Sequence, residues 1–81
     1  MYSSEEIAQA IIIALILEVP PGTEKPELFV QLVPASPNEP NWKLTESSGQ
    51  GYPYPDVLAK VVARIQATHR MKTSRMGGST F

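Results

Sequence analysis

Residues 3–18 read Ser3-Ser4-Glu5-Glu6-Ile7-Ala8-Gln9-Ala10-Ile11-Ile12-Ile13-Ala14-Leu15-Ile16-Leu17-Glu18, the most apolar stretch of the chain. Its start carries a helix N-terminus. Ser3 and Glu6 have capping-box spacing, in which hydroxyl and carboxylate each satisfy a backbone N–H that the helix leaves orphaned. Tyr2 and Ile7 are placed to form a hydrophobic staple across the cap, and Glu5 and Glu6 put negative charge at the positive end of the helix dipole. Pro20, Pro21 and Gly22 close the far end, because proline lacks the N–H that a helix interior requires.

A buried strand over Ala10–Val19 is the competing reading, since Ile11, Ile12 and Ile13 are β-branched. The cap and the interspersed alanines favour helix. At about 100° per residue, Ile7, Ala8, Ile11, Ile12 and Leu15 fall on one side of it. Ala10, Ile13, Ala14, Ile16 and Leu17 fall on the other, and Gln9 alone is polar between Ile7 and Leu17. Such a helix needs cover on both sides. A membrane span takes about twenty apolar residues, roughly twice this run, so a buried helix is expected and no span. Two glutamates in place of a basic region also argue against a secretory signal.

The whole chain has 81 residues, no cysteine and a net charge of −1. One small domain of this size has a core of marginal stability, with neither disulfide nor thiolate metal site to supplement it. The absence of cysteine fits a reducing, cytoplasmic setting. The near-zero charge excludes a strongly basic nucleic-acid binder of the usual kind. It also conceals a polarity. All eight acidic residues lie within residues 1–56 against Lys25 and Lys43, a balance of −6. Residues 57–81 carry Lys60, Arg64, Arg70, Lys72 and Arg75 and no acid, a balance of +5. Two halves that pack together and neutralise one another account for this. The sharper reading is a basic end that meets an acidic partner, including a second copy.

All eight prolines fall between Pro20 and Pro55, so a proline-rich middle separates two helical segments. Leu28–Val33 is a β-forming run in which Leu28, Val30 and Leu32 share a face. Pro34–Asn41 is a loop of turn formers, and Trp42–Glu46 alternates with Trp42 and Leu44 inward. The two runs predict an antiparallel hairpin, which alone is marginal and needs a helix over its apolar face. Ser47-Ser48-Gly49-Gln50-Gly51 reads as the most flexible interior stretch. A second helix starts at Pro55 or Asp56 and runs to His69 or Met71. Its stripe is Val57, Leu58, Val61, Val62 and Ile65, with Lys60, Arg64 and Gln66 facing away. The sum is a small two-layer α+β domain over residues 1–72, ordered helix-strand-strand-helix, with the hairpin packed against two helices and 73–81 as a flexible tail.

Catalysis requires convergent nucleophiles, bases or metal ligands, and none is visible. His69, the one histidine, lies near a helix end among cations, where the dipole alone explains it. Glu5 and Glu6 belong to the cap. Ser48-Gly49-Gln50-Gly51 resembles a phosphate-cradling loop but lacks both the Walker lysine and the dinucleotide glycine spacing. No catalytic residue, cofactor or metal ligand is expected. The sequence instead points to a small non-catalytic interaction protein, a homo-oligomer, part of a larger protein complex, or both. Ala10, Ile13, Ala14 and Leu17 are the self-association candidates. Tyr52 and Tyr54, of a residue type enriched at binding hot spots, join Arg70, Lys72 and Arg75 as candidate partner contacts. The alternative is a nucleic-acid-associated regulator using the basic second helix and tail. It is the weaker reading, because no aromatic is interleaved with the basic cluster to stack bases.

Overall fold

The computed structural model describes residues 1–72. The tail over 73–81, and with it Arg75, lies outside the described residues. Helix α1 spans Ser4–Ile16, strand β1 Val30–Leu32, strand β2 Trp42–Leu44 and helix α2 Pro55–Thr68. The hairpin is antiparallel, α1 packs on both β1 and α2, and Trp42 of β2 shares the core with α2, so the molecule is a small α+β domain.

The capping box forms as the sequence predicts. Ser3 Oγ accepts the Glu6 N–H at 3.1 Å, and Glu6 Oε1 accepts the Ser3 N–H at 2.8 Å. That second bond, from the Ser3 backbone amide, is the main reason the Glu6 carboxyl lies below the usual carboxylate range. At the other end the Leu15 carbonyl takes N–H groups from both Glu18 and Val19, which turns the chain before Pro20. Tyr2 ties the start of the chain to the residues that follow α2. Its ring packs on His69 with centroids 4.3 Å apart, and its N–H donates to Arg70 O at 2.9 Å.

The core is Ile7, Ile11 and Leu15 from α1, Trp42 from β2, and Leu58, Val61 and Ile65 from α2. Each fully buried aliphatic chain of this kind contributes about 1.5–3 kcal/mol of transfer free energy. The i, i+4 spacing in α1 and the i+3, i+4 spacing in α2 are the periods that bring such side chains onto one helix face. Val57 and Val62 complete the α2 stripe.

The hairpin is shorter than the apolar runs suggest. Leu28 and Val30 pack against the core, whereas Leu32, on the same face, is 45 % exposed. A three-residue strand carries only its first part over the core, and Leu32 extends past it. Gln66 departs from the sequence reading too: it is half-buried, and its Nε2 donates to Trp42 O at 2.8 Å. The stretch expected to be most flexible is tied at two points. Ser48 Oγ bridges the N–H and C=O of Phe29, and Gly49 N–H donates to Glu27 O at 2.7 Å.

Candidate interaction surface

The two sides of α1 meet different fates. Ile7, Ile11 and Leu15 are fully buried. Ser4, Glu5 and Ala8 line one groove with Leu28, Phe29 and Val30, so β1 lies along the Ala8 flank. That leaves the Ala10–Ala14 flank for α2, the other element that α1 touches, and both alanines pack against the core. Just past the end of α1 an ion pair, Arg64 to Glu18 at 3.0 Å, ties the chain to α2. This bond and the nearby Lys60 hold the Glu18 carboxyl below its ordinary range. Ile13, Ile16 and Leu17 then form the outer arc of α1, exposed by 53 %, 54 % and 83 %. Of the self-association candidates, the structure puts Ile13 and Leu17 on the surface and Ala10 and Ala14 against the core.

Tyr52 and Tyr54 are half-buried, with rings edge to face at 6.0 Å, and Tyr52 packs on the core. Burial, and then Tyr54, push the Tyr52 phenol up. Tyr54 is the residue before α2, and its carbonyl accepts the Leu58 N–H. Both tyrosines thus contribute to the fold and keep only part of their surface for a partner.

The basic end is also drawn inward. Arg70 donates to the carbonyls of Glu39 and Pro37 at 2.7 and 3.3 Å, fastening the loop between the strands. Ser36 caps the same loop through Glu39, whose carboxyl is lowered first by the Ser36 backbone N–H. With Arg64 in the ion pair, Lys60 and Lys72 are the cations of the second helix and its end whose ammonium groups make no hydrogen bond or ion pair among the described residues. Among the described residues one salt bridge, Arg64 to Glu18, joins the acidic and basic parts of the chain.

One residue that sequence reasoning passed over organises this end of the molecule. Asn41, 6 % exposed, donates through Nδ2 to Met71 O at 2.9 Å and accepts the Met71 N–H on Oδ1 at 2.8 Å. Its amide therefore behaves like the facing edge of a strand. Trp42 Nε1 adds a bond to His69 O at 2.8 Å, and Lys72 N–H donates to Tyr2 O at 2.6 Å. Residues 69–72 are thereby held between Tyr2 on one side and Asn41 and Trp42 on the other. In sequence Asn41 is one more turn former, and only its position directly before a buried tryptophan sets it apart.

A groove of about 510 Å³ separates this loop from the last turn of α2, with Pro37, Pro40, Ala63 and Ala67 among its walls. Arg70 and Gln66 reach it, and Arg70 Nη1 and Gln66 Nε2 donate to backbone carbonyls. No group of three or more histidine, cysteine or acidic side chains is placed to hold a metal ion among the described residues. Among the same residues no helix is long and apolar enough to cross a membrane. Comparison with protein-family models, curated proteins and solved structures finds no match to this chain.

Proposed function

We propose that this chain is a small, non-catalytic, cytoplasmic interaction protein that works as a homodimer and serves as an accessory or assembly factor for a larger complex. The observation that carries the reading is the outer arc of α1. Ile13, Ile16 and Leu17 expose aliphatic surface on a rigid, well-capped helix. Scattered surface leucines need no explanation, but three adjoining aliphatic chains on one face favour contact with another protein surface. The conspicuous polar side chains support the reading from the other direction, because Glu6, Glu39, Asn41, Gln66 and Arg70 all hold backbone groups of the fold.

Light scattering at micromolar concentration tests it. The expected mass is twice the 8.9 kDa of the chain. Ile13→Lys combined with Leu17→Lys, at positions too exposed to disturb the core, is expected to weaken association and leave the thermal midpoint nearly unchanged. A wild-type chain that keeps the single-chain mass as concentration rises refutes the proposal.

A further inference from the structure

Residues 69–72 follow α2 as a strap, extended at His69 and paired in parallel with Tyr2 at Met71. The rest of the molecule holds this strap by its backbone. Trp42 Nε1 donates to His69 O, Tyr2 N–H to Arg70 O and Asn41 Nδ2 to Met71 O. Asn41 Oδ1 accepts from Met71 N–H, and Tyr2 O from Lys72 N–H. The two Tyr2 bonds bracket Met71 as a neighbouring strand would, and the Asn41 amide takes the N–H and C=O of Met71 on the other side. All five bonds end on peptide groups of the strap. That is the pattern by which a sheet accepts an added strand, main chain giving affinity and side chains giving specificity.

The body is complete without the strap, and the slot that holds it is not. None of the seven buried core residues comes from residues 69–72, where Met71 packs only at the edge of that core. Trp42, by contrast, is fully buried and Asn41 nearly so. Among the described residues the Trp42 indole N–H and both ends of the Asn41 amide find their partners in the strap. Buried donors and acceptors left unpaired are costly, so the slot calls for an extended peptide within it. Charge narrows the choice of peptide. Residues 1–68 carry eight acidic side chains against Lys25, Lys43, Lys60 and Arg64, a balance of −4. The strap sets Arg70 and Lys72 on either side of Met71.

We propose that the strap occupies in cis a site for a partner protein, and that an extended basic–apolar–basic segment of the partner displaces it and takes over the same five backbone bonds. The demands on that segment follow from the contacts. Its residues in the places of Met71 and Lys72 donate N–H groups, which excludes proline at both. The place of Met71 takes an apolar side chain that reaches the core edge. The place of Arg70 takes a cationic donor facing the carbonyls of Pro37 and Glu39. A tethered strap competes at an effective concentration on the order of millimolar. A segment carried by a partner bound beside the slot is presented at a comparable concentration, so the two exchange. The slot is separate from the outer arc of α1, and its test does not depend on the self-association proposed above.

Two measurements decide it. In the wild-type chain the strap is expected to open while the helices stay formed. Hydrogen-exchange protection at the Met71 and Lys72 N–H groups should then be about tenfold or more below that at the Ile65 N–H. Equal protection means that the strap leaves only when the whole fold does, and overturns the proposal. Met71→Pro removes the N–H that Asn41 Oδ1 accepts and frees the slot, with circular dichroism to verify the helices. An acetylated, amidated peptide of residues 69–72 is expected to bind this variant about tenfold or more tighter than the wild type, whose own strap competes. The Trp42 indole N–H resonance should return towards its wild-type position as the peptide binds. Methylating the peptide nitrogen in the place of Met71 should abolish binding, whereas alanine in the places of Arg70 and Lys72 should weaken it less. Equal affinity for the two chains, no binding to the variant, or binding that survives the N-methyl group overturns the proposal. The exchange measurement uses the wild-type chain and stands whether or not Met71→Pro folds.

Discussion

Replacing Asn41 with alanine removes two hydrogen bonds at one stroke, because Oδ1 and Nδ2 hold the N–H and C=O of the same residue, Met71. The net worth of an intramolecular hydrogen bond is about 1 kcal/mol. A part-buried backbone group left without its partner costs about 1 kcal/mol more where water cannot fully replace the bond. The expected loss for Asn41→Ala is therefore about 2–3 kcal/mol, a large share of the stability of on the order of 5 kcal/mol that a domain this small holds. Asn41→Asp should cost at least as much, since its carboxylate still accepts from Met71 N–H but sets a buried negative charge against Met71 O. Urea unfolding followed by tryptophan fluorescence measures both, because Trp42 is the one tryptophan and lies next to the substitution. Hydrogen exchange adds a local readout: protection at Met71 and Lys72 should fall in the variant, and that of the Glu6 capping bond should not. A loss below about 0.5 kcal/mol for Asn41→Ala, with Met71 protection unchanged, would refute the view that this amide stands in for a strand edge.

Two further perturbations follow from the same structure. Gly49 has φ +70°, and a Cβ there would come 2.7 Å from Leu58 Cδ2. Gly49→Ala should cost about 1–3 kcal/mol in the same urea assay, from the strained backbone and the displaced Leu58 end, while Gly51→Ala, at φ +77° but in open space, should cost less. Acid should destabilise the fold through Glu6, Glu18 and Glu39, whose carboxyls all lie below the ordinary 4.5. For a depressed carboxylate the stabilisation is complete above the unfolded value and is lost as pH falls through the folded one. Thermal midpoints should hold down to about pH 5 and decline below it, and Glu6→Gln should flatten part of that decline.

How much of this was legible in the sequence follows from the range of each interaction. The start of α1 depends on groups three residues apart, Ser3 and Glu6, and local chemistry fixed it. The stripe of α2 depends on spacing along one helix, and so did the side of α1 that became the core. The limits of the strands were not legible. Apolar runs state which residues can be buried, and the length of sheet that two short helices cover decides which are. Leu32 is therefore exposed although its run is continuous. The uses of Asn41, Gln66 and Arg70 were hidden for the same reason. Each reaches a backbone group 24 to 33 residues away in sequence.

For the opening stretch, then, the sequence by itself determined a capped helix, its two ends and its need for cover on both sides. Only the tertiary structure decided how that need is met. The Ala10–Ala14 flank takes α2 because small side chains let the helices approach closely, and the Ala8 flank takes β1. The arc from Ile13 to Leu17 stays open because three neighbouring elements of this length cannot enclose a helix. The sheet has the same limit: two strands leave two edges, and what α2 adds to one of them is a bond from Gln66 to the Trp42 carbonyl.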